Sequence, residues 1–213
     1  MLSKTQLAEQ FALQNKMNAT VNPDWLRAGY AWHRAIMVEA VEALDHYGWK
    51  WWKKSEPDVI QVQIELVDIW HFVLSATLAS TNGDTEWAVL STLGRFEGTP
   101  SSSVNATSTP ALFDILAGDA AGGHFNAIVF EALMRRLDFS WDQLHAMYIA
   151  KNVLNIFRQG HGYKQGTYVK EWHGKEDNVV LADLIAARPD ATVEQLTEKL
   201  ESIYASVTAG AAA

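Results

Sequence analysis

The 213-residue chain contains no cysteine, which excludes disulfides and thiolate metal sites outright. Its apolar runs are interrupted by charge, so no membrane-spanning helix and no membrane partner are expected. The opening residues, MLSKTQLAEQ, lack the charged-then-apolar build of a secretory signal, and the expected setting is the cytoplasm. Basic residues are in the minority, 17 Lys and Arg against 25 Asp and Glu. The resulting net charge of −8 argues against non-specific binding to nucleic acid. No internal repeat is present, and no segment reads convincingly as a strand.

What is present is a globular composition, 48% hydrophobic and 20% charged, on a length that suits one core. A single domain over 1–213 is expected, all-α throughout, with a bundle of antiparallel helices at its core. Ser3 suits a helix N-cap before 4–18, and Asp24 can cap a helical pattern from Trp25 to about Trp52, with Gly29 and Gly48 as its weak points. Pro57 suits the first turn of a second long helix over 58–80. Shorter helices are expected over 84–93, 110–117 and 124–137. A helix over 141–158 opens at Ser140, and the Thr192–Gln195 capping box starts one over 192–206. Residues 94–109, rich in Ser, Thr and Gly, read as a flexible loop, either a lid or an exposed connection, and 207–213 as a frayed tail.

Two helices carry the chemistry. Glu39 and Glu42 are three residues apart, as are Glu65 and Asp68, and i, i+3 spacing puts each pair on one helix face. Either pair alone reads as a solvated face. Both pairs lie among Ile36, Val38, Val41, Ile64, Leu66 and Ile69, where like charge is costly without a compensating cation. Hard divalent ions take oxygen ligands, so an acidic cage for Mg²⁺ across an antiparallel helix pair is inferred. Two Mg²⁺ held there would supply a hydroxide nucleophile and stabilise charge developing on a phosphate, with one carboxylate as general base.

Lys151, Asn155 and Arg158 form one stripe of the 141–158 helix, and Lys164 and Lys170 follow with Tyr163 and Tyr168 between them. Such a stripe is ordinarily solvated. Beside an acidic cage it offers the point charge and planar fork that phosphate oxygens accept. Trp49, Trp51 and Trp52 cannot all face one core, so at least one is expected to be partly exposed, against a base, a partner helix or a dimer interface. His71 lies three residues past Asp68 on the acidic face. His33, His46, His124, His145, His161 and His173 show no mutual metal spacing and are assigned nothing.

The segments EAVEALDHYGWKWWK (39–53), IELVDIWHF (64–72) and KNVLNIFRQGHGYKQGTYVKEW (151–172) together resemble the dimeric dUTPases, a branch of the all-α nucleoside triphosphate pyrophosphatases. Gln14 and Asn18 in ALQNKMN are similar to that family's N-terminal base-contact segment. The resemblance implies Mg²⁺-dependent hydrolysis of dUTP to dUMP and pyrophosphate, with dUDP also accepted, in a homodimer whose partner subunit helps complete each site. It implies Glu39, Glu42, Glu65 and Asp68 as ligands of two or more Mg²⁺, with Glu39 orienting the attacking water. Lys53, Lys151, Asn155, Arg158, Lys164, Tyr168 and Lys170 would receive the phosphates and sugar. Gln14, Asn18, Trp51 and His71 would line the base pocket. Residues 94–109 and 118–123 do not follow the family. Alternatives are the same chemistry on dCTP or a broader set of nucleotides, and a catalytically silent helical nucleotide-binding dimer, which would need a broken acidic or phosphate contact that the sequence does not show.

Overall fold

Capping residues mark most of the helix starts. A computed structural model describes residues 1–98, 101–188 and 191–211. Ser3 and Gln6 close a capping box on α1 (Lys4–Val21), Asp58 caps α3 (Val59–Ser80), and Asp84 caps α4 (Thr85–Arg95). Ser140 and Gln143 close a second capping box on α8 (Trp141–Gly160). Thr192 and Gln195 exchange the same pair of bonds before α10 (Val193–Ala211). Each cap satisfies N–H groups that the first turn otherwise leaves unpaired. Helix makes up 71% of the described residues, whose strands are one two-residue pair, so the all-α expectation holds.

Several boundaries differ from the sequence expectation. The helical pattern from Trp25 to Trp52 is broken: a 3-10 turn covers Trp25–Arg27, Asp24 makes no side-chain cap, and α2 spans Trp32–Tyr47. Gly29 lies in the gap with φ +66°, and Gly48 ends α2 in the left-handed conformation at φ +83°. A glycine at that C-terminal position meets no Cβ penalty, which is why the helix stops there and the Trp cluster falls outside it. Pro57 precedes the Asp58 cap and is not part of the first turn of α3. The expected loop 94–109 holds the end of α4, the short α5 (Ser102–Ala106) and the start of α6 (Thr109–Ala121). Ser101 caps α5 through the Val104 N–H, and Arg136 donates to the Asn105 and Thr107 carbonyls, pinning the segment to α7 (Ala127–Arg136). A Ser- and Thr-rich composition is that of caps as much as of loops. Thr99 and Pro100, within that loop, lie outside the described residues, as do Ala212 and Ala213 of the expected frayed tail; α10 itself continues through 207–211.

The centre of the molecule is α3, which contacts α1, α2, α4, α8 and α9 (Asp177–Ala187). By length and composition alone it would cross a membrane, but it is mostly buried, as a core helix is. Trp70 on α3 is fully buried, stacks on Phe130 and donates its indole N–H to Gln10 at 2.9 Å. A second cluster, with Phe157, Trp172, Leu181, Leu200 and Tyr204, joins the end of α8 to α9 and α10. Between α8 and α9 runs a hairpin of β1 (Glu171–Trp172) and β2 (Lys175–Glu176), paired antiparallel. Its two turn residues, His173 and Gly174, both have positive φ, the conformation a tight two-residue hairpin requires.

Candidate active site

The polar faces of α2, α3 and α8 converge on a cavity of about 490 Å³, and α1 closes one end of it. The i, i+3 spacing operates as expected. One carboxylate oxygen each from Glu39, Glu42 and Glu65 lies within 4.8 Å of the others. Burial is the main force on Glu39 and Glu65, followed by the charge of Asp68. Together these push Glu39 up to about 9 and Glu65 up to about 7. The two acids are hydrogen bonded to each other, which fits Glu39 as the proton holder. Three converging carboxylates, those of Glu39 and Glu65 kept from ionising easily by burial and by the charge of Asp68, are a hard-oxygen donor set suited to a divalent cation such as Mg²⁺.

Asp68, expected as a fourth member, is placed differently. Its Oδ2 accepts from Lys151 Nζ at 2.8 Å, and the same Nζ donates to Asn178 Oδ1 at 2.8 Å. Lys151 is 4% exposed and Arg158 8%, so the expected basic stripe is a buried wall of the cavity rather than a solvated face. Arg158 forms a two-pronged pair with Asp177, Nε to Oδ2 at 2.8 Å and Nη2 to Oδ1 at 2.7 Å. Burial alone would lower the guanidinium, and the Asp177 carboxylate more than offsets this, leaving it above its ordinary value. Asn155 accepts from Arg158 Nη1 at 3.2 Å, and Lys170 lines the cavity while pairing with Glu176.

At the end closed by α1, Gln14, Asn18 and His71 sit in one hydrogen-bond network. Gln14 Nε2 donates to Asn18 Oδ1, and Asn18 Nδ2 donates to Ser75 Oγ. Gln14 Oε1 lies 2.7 Å from His71 Nδ1. An amide oxygen only accepts, so His71 carries its proton on Nδ1. Burial drives His71 down to about 3, and its Nε2, an acceptor in this tautomer, is buried with no hydrogen-bond partner among the described residues. Trp25, Tyr30, Trp32 and Phe72 supply the aromatic wall.

Four of the expected site residues stand elsewhere. Trp51 is 87% exposed and packs edge-on against Trp52. Lys53 is exposed and lines no part of the cavity. Lys164 Nζ donates to the Val21 carbonyl, and Tyr168 donates its hydroxyl to Asp177 Oδ2 at 2.7 Å. Three residues not anticipated belong to the arrangement. His46, 3.7 Å from Glu65, follows Glu39 and Glu42 at i+7 and i+4, so helical spacing alone would have found it. Asp177 and Asn178 carry no local signal of this kind, because the hairpin delivers them.

The family model described as dUTPase matches residues 6–163, well over half of the chain. The match takes in α2, α3 and α8 and stops before Tyr168, Lys170, Asp177 and Asn178. No curated protein sequence matches the chain.

Proposed function

The chain belongs to the dUTPase family, and from that premise we propose that it hydrolyses dUTP, and also dUDP, releasing dUMP and pyrophosphate from dUTP, with Mg²⁺ as cofactor. The single observation that supports this best is the layout of one cavity. Its lining brings together the amide and imidazole groups of Gln14, Asn18 and His71, the carboxylate cluster, and Lys151 and Arg158. A pyrimidine, a metal-bound phosphate chain and its charge partners need these three surroundings.

Divalent metal use is general among dUTPases, and Glu39, Glu42 and Glu65 would hold Mg²⁺, with Asp68 joining once it leaves Lys151. The ions, when bound, polarise phosphate oxygens and acidify water. The chain's own residues do the remainder. Glu39, once it has given up the proton that its burial favours, orients the attacking water and takes its proton. Lys151 and Arg158 receive the phosphates, Asn155 and Lys170 flank them, and no covalent intermediate is involved.

At the base end, His71 presents an unpaired Nε2 lone pair. The N3–H of uracil would satisfy it, whereas cytosine carries a lone pair at that position. This favours dUTP over dCTP. The proposal includes a homodimer, supported by exposed Val38 and Val41 on α2 and Ile60 at the start of α3. Membership of a soluble enzyme family supports cytoplasmic placement. The test is pyrophosphate release from dUTP and each common dNTP, with Mg²⁺ and with chelator. Mg²⁺-dependent release from dUTP alone is expected. Equal release from dCTP would overturn the role given to His71, and no release from any nucleotide would overturn the enzymatic reading.

A further inference from the structure

We infer that Asp177 is a positioning residue for Arg158, and that Tyr168 acts on Asp177 rather than on substrate. This rests on the assignment of Arg158 to the phosphate chain. Asp177 is fully buried, and its two oxygens hold Nε and Nη2 of the guanidinium at 2.8 and 2.7 Å. Asn178 takes a further Nη2 hydrogen at 2.9 Å, and Asn155 one on Nη1 at 3.2 Å. Of the five N–H donors of an arginine, these contacts leave one, on Nη1, for an incoming ligand. A long side chain that would otherwise sample many rotamers is thus held in a single orientation at the cavity wall.

Tyr168 completes the hold. Its hydroxyl donates to Asp177 Oδ2, and its ring stacks on Tyr204 of α10 at 5.3 Å and 11°. Tyr204 in turn accepts from the Val169 N–H. A brace therefore runs from α10 through Tyr168 and Asp177 to Arg158, and every member except Arg158 lies beyond the family match.

Asp177 also compensates the charge of Arg158, and this gives the test a sign. If only charge mattered, Asp177→Asn would leave the site more positive and bind anions more tightly. Positioning requires the opposite. Calorimetric titration of pyrophosphate with Mg²⁺ into wild type, Asp177→Asn, Arg158→Gln and the double variant reads this directly, with deoxyuridine titrated in parallel. Asp177→Asn is expected to weaken pyrophosphate binding about tenfold, with deoxyuridine unchanged and the double variant no weaker than Arg158→Gln. Unchanged or tighter pyrophosphate binding, additive losses, or a matching loss for deoxyuridine would each overturn the inference. If Asp177→Asn does not fold, as judged by near-ultraviolet circular dichroism, Tyr168→Phe replaces it. A pyrophosphate affinity about threefold weaker is then expected, and no change overturns the inference. A wild type that leaves dUTP intact while the pyrophosphate cycle behaves as described would remove the proposed activity and leave the positioning role standing.

Discussion

Replacing Glu39 with Gln isolates the proton that the acidic cluster holds. Glu39 and Glu65 bind protons more tightly in the folded protein than at their ordinary value of 4.5. Their contribution to stability is therefore fully present below about pH 4.5, and it is lost as pH rises through about 7 for Glu65 and about 9 for Glu39. Wild type in chelator should thus unfold more easily at pH 8.5 than at pH 5. Glu39→Gln is nearly isosteric with the protonated acid, so the two proteins should agree within about 0.5 kcal/mol at pH 5. At pH 8.5 the variant no longer faces the cost of taking up, on folding, the proton that Glu39 must bind. Glu39 is partly open to solvent, which screens that cost, and a discounted gain of about 1–3 kcal/mol is expected. For a chain of this size the gain corresponds to a melting temperature roughly 3–10 °C above wild type. Thermal melts from pH 5 to 9 in chelator read this, and repeats with Mg²⁺ should lift wild type at the alkaline end while moving the variant little. Parallel curves for the two proteins in chelator would refute the assignment of the proton to Glu39.

Lys151→Met removes the cation from a nearly buried ion pair and leaves Asp68 facing the other carboxylates, so denaturant unfolding in chelator should show a loss of about 3 kcal/mol. An unchanged midpoint would mean that the pair contributes nothing to stability. Gly48→Ala places a Cβ at φ +83° and 3.0 Å from Ser55 Oγ, and the strain should cost about 1 kcal/mol or more. A stabilised variant would show that α2 can continue past Tyr47.

Much of the fold could be read from local chemistry. Ser3, Ser140 and Thr192 each start a helix where a cap was expected, because capping depends on residues within one turn. The acidic pairs and the Lys151–Arg158 stripe were legible for the same reason: helical spacing determines which side chains share a face. Contacts that depend on tertiary placement were not. Asp68 pairs across to α8, Tyr168 turns to Asp177, and Trp51 points to solvent, and spacing carries no information on any of these. The short α5 was missed because Ser and Thr serve caps and loops alike. The break before Trp32 was anticipated only as a weakness at Gly29.

The hydrophobicity of α3 has a consequence for biosynthesis. As it leaves the ribosome, the segment Val59–Ser80, with a mean hydropathy of 1.3, is long and apolar enough to resemble a bilayer span by length and composition alone. Two features count against its capture by the insertion machinery. Glu65 and Asp68 lie in the middle of the segment, where on insertion scales an aspartate costs about 2.5–3.5 kcal/mol. The helices α1 and α2, which cover two of its faces, have by then already been synthesised. The acids proposed to serve chemistry in the folded enzyme thus also direct the nascent chain away from the lipid. Replacing both with alanine would remove that safeguard along with the site.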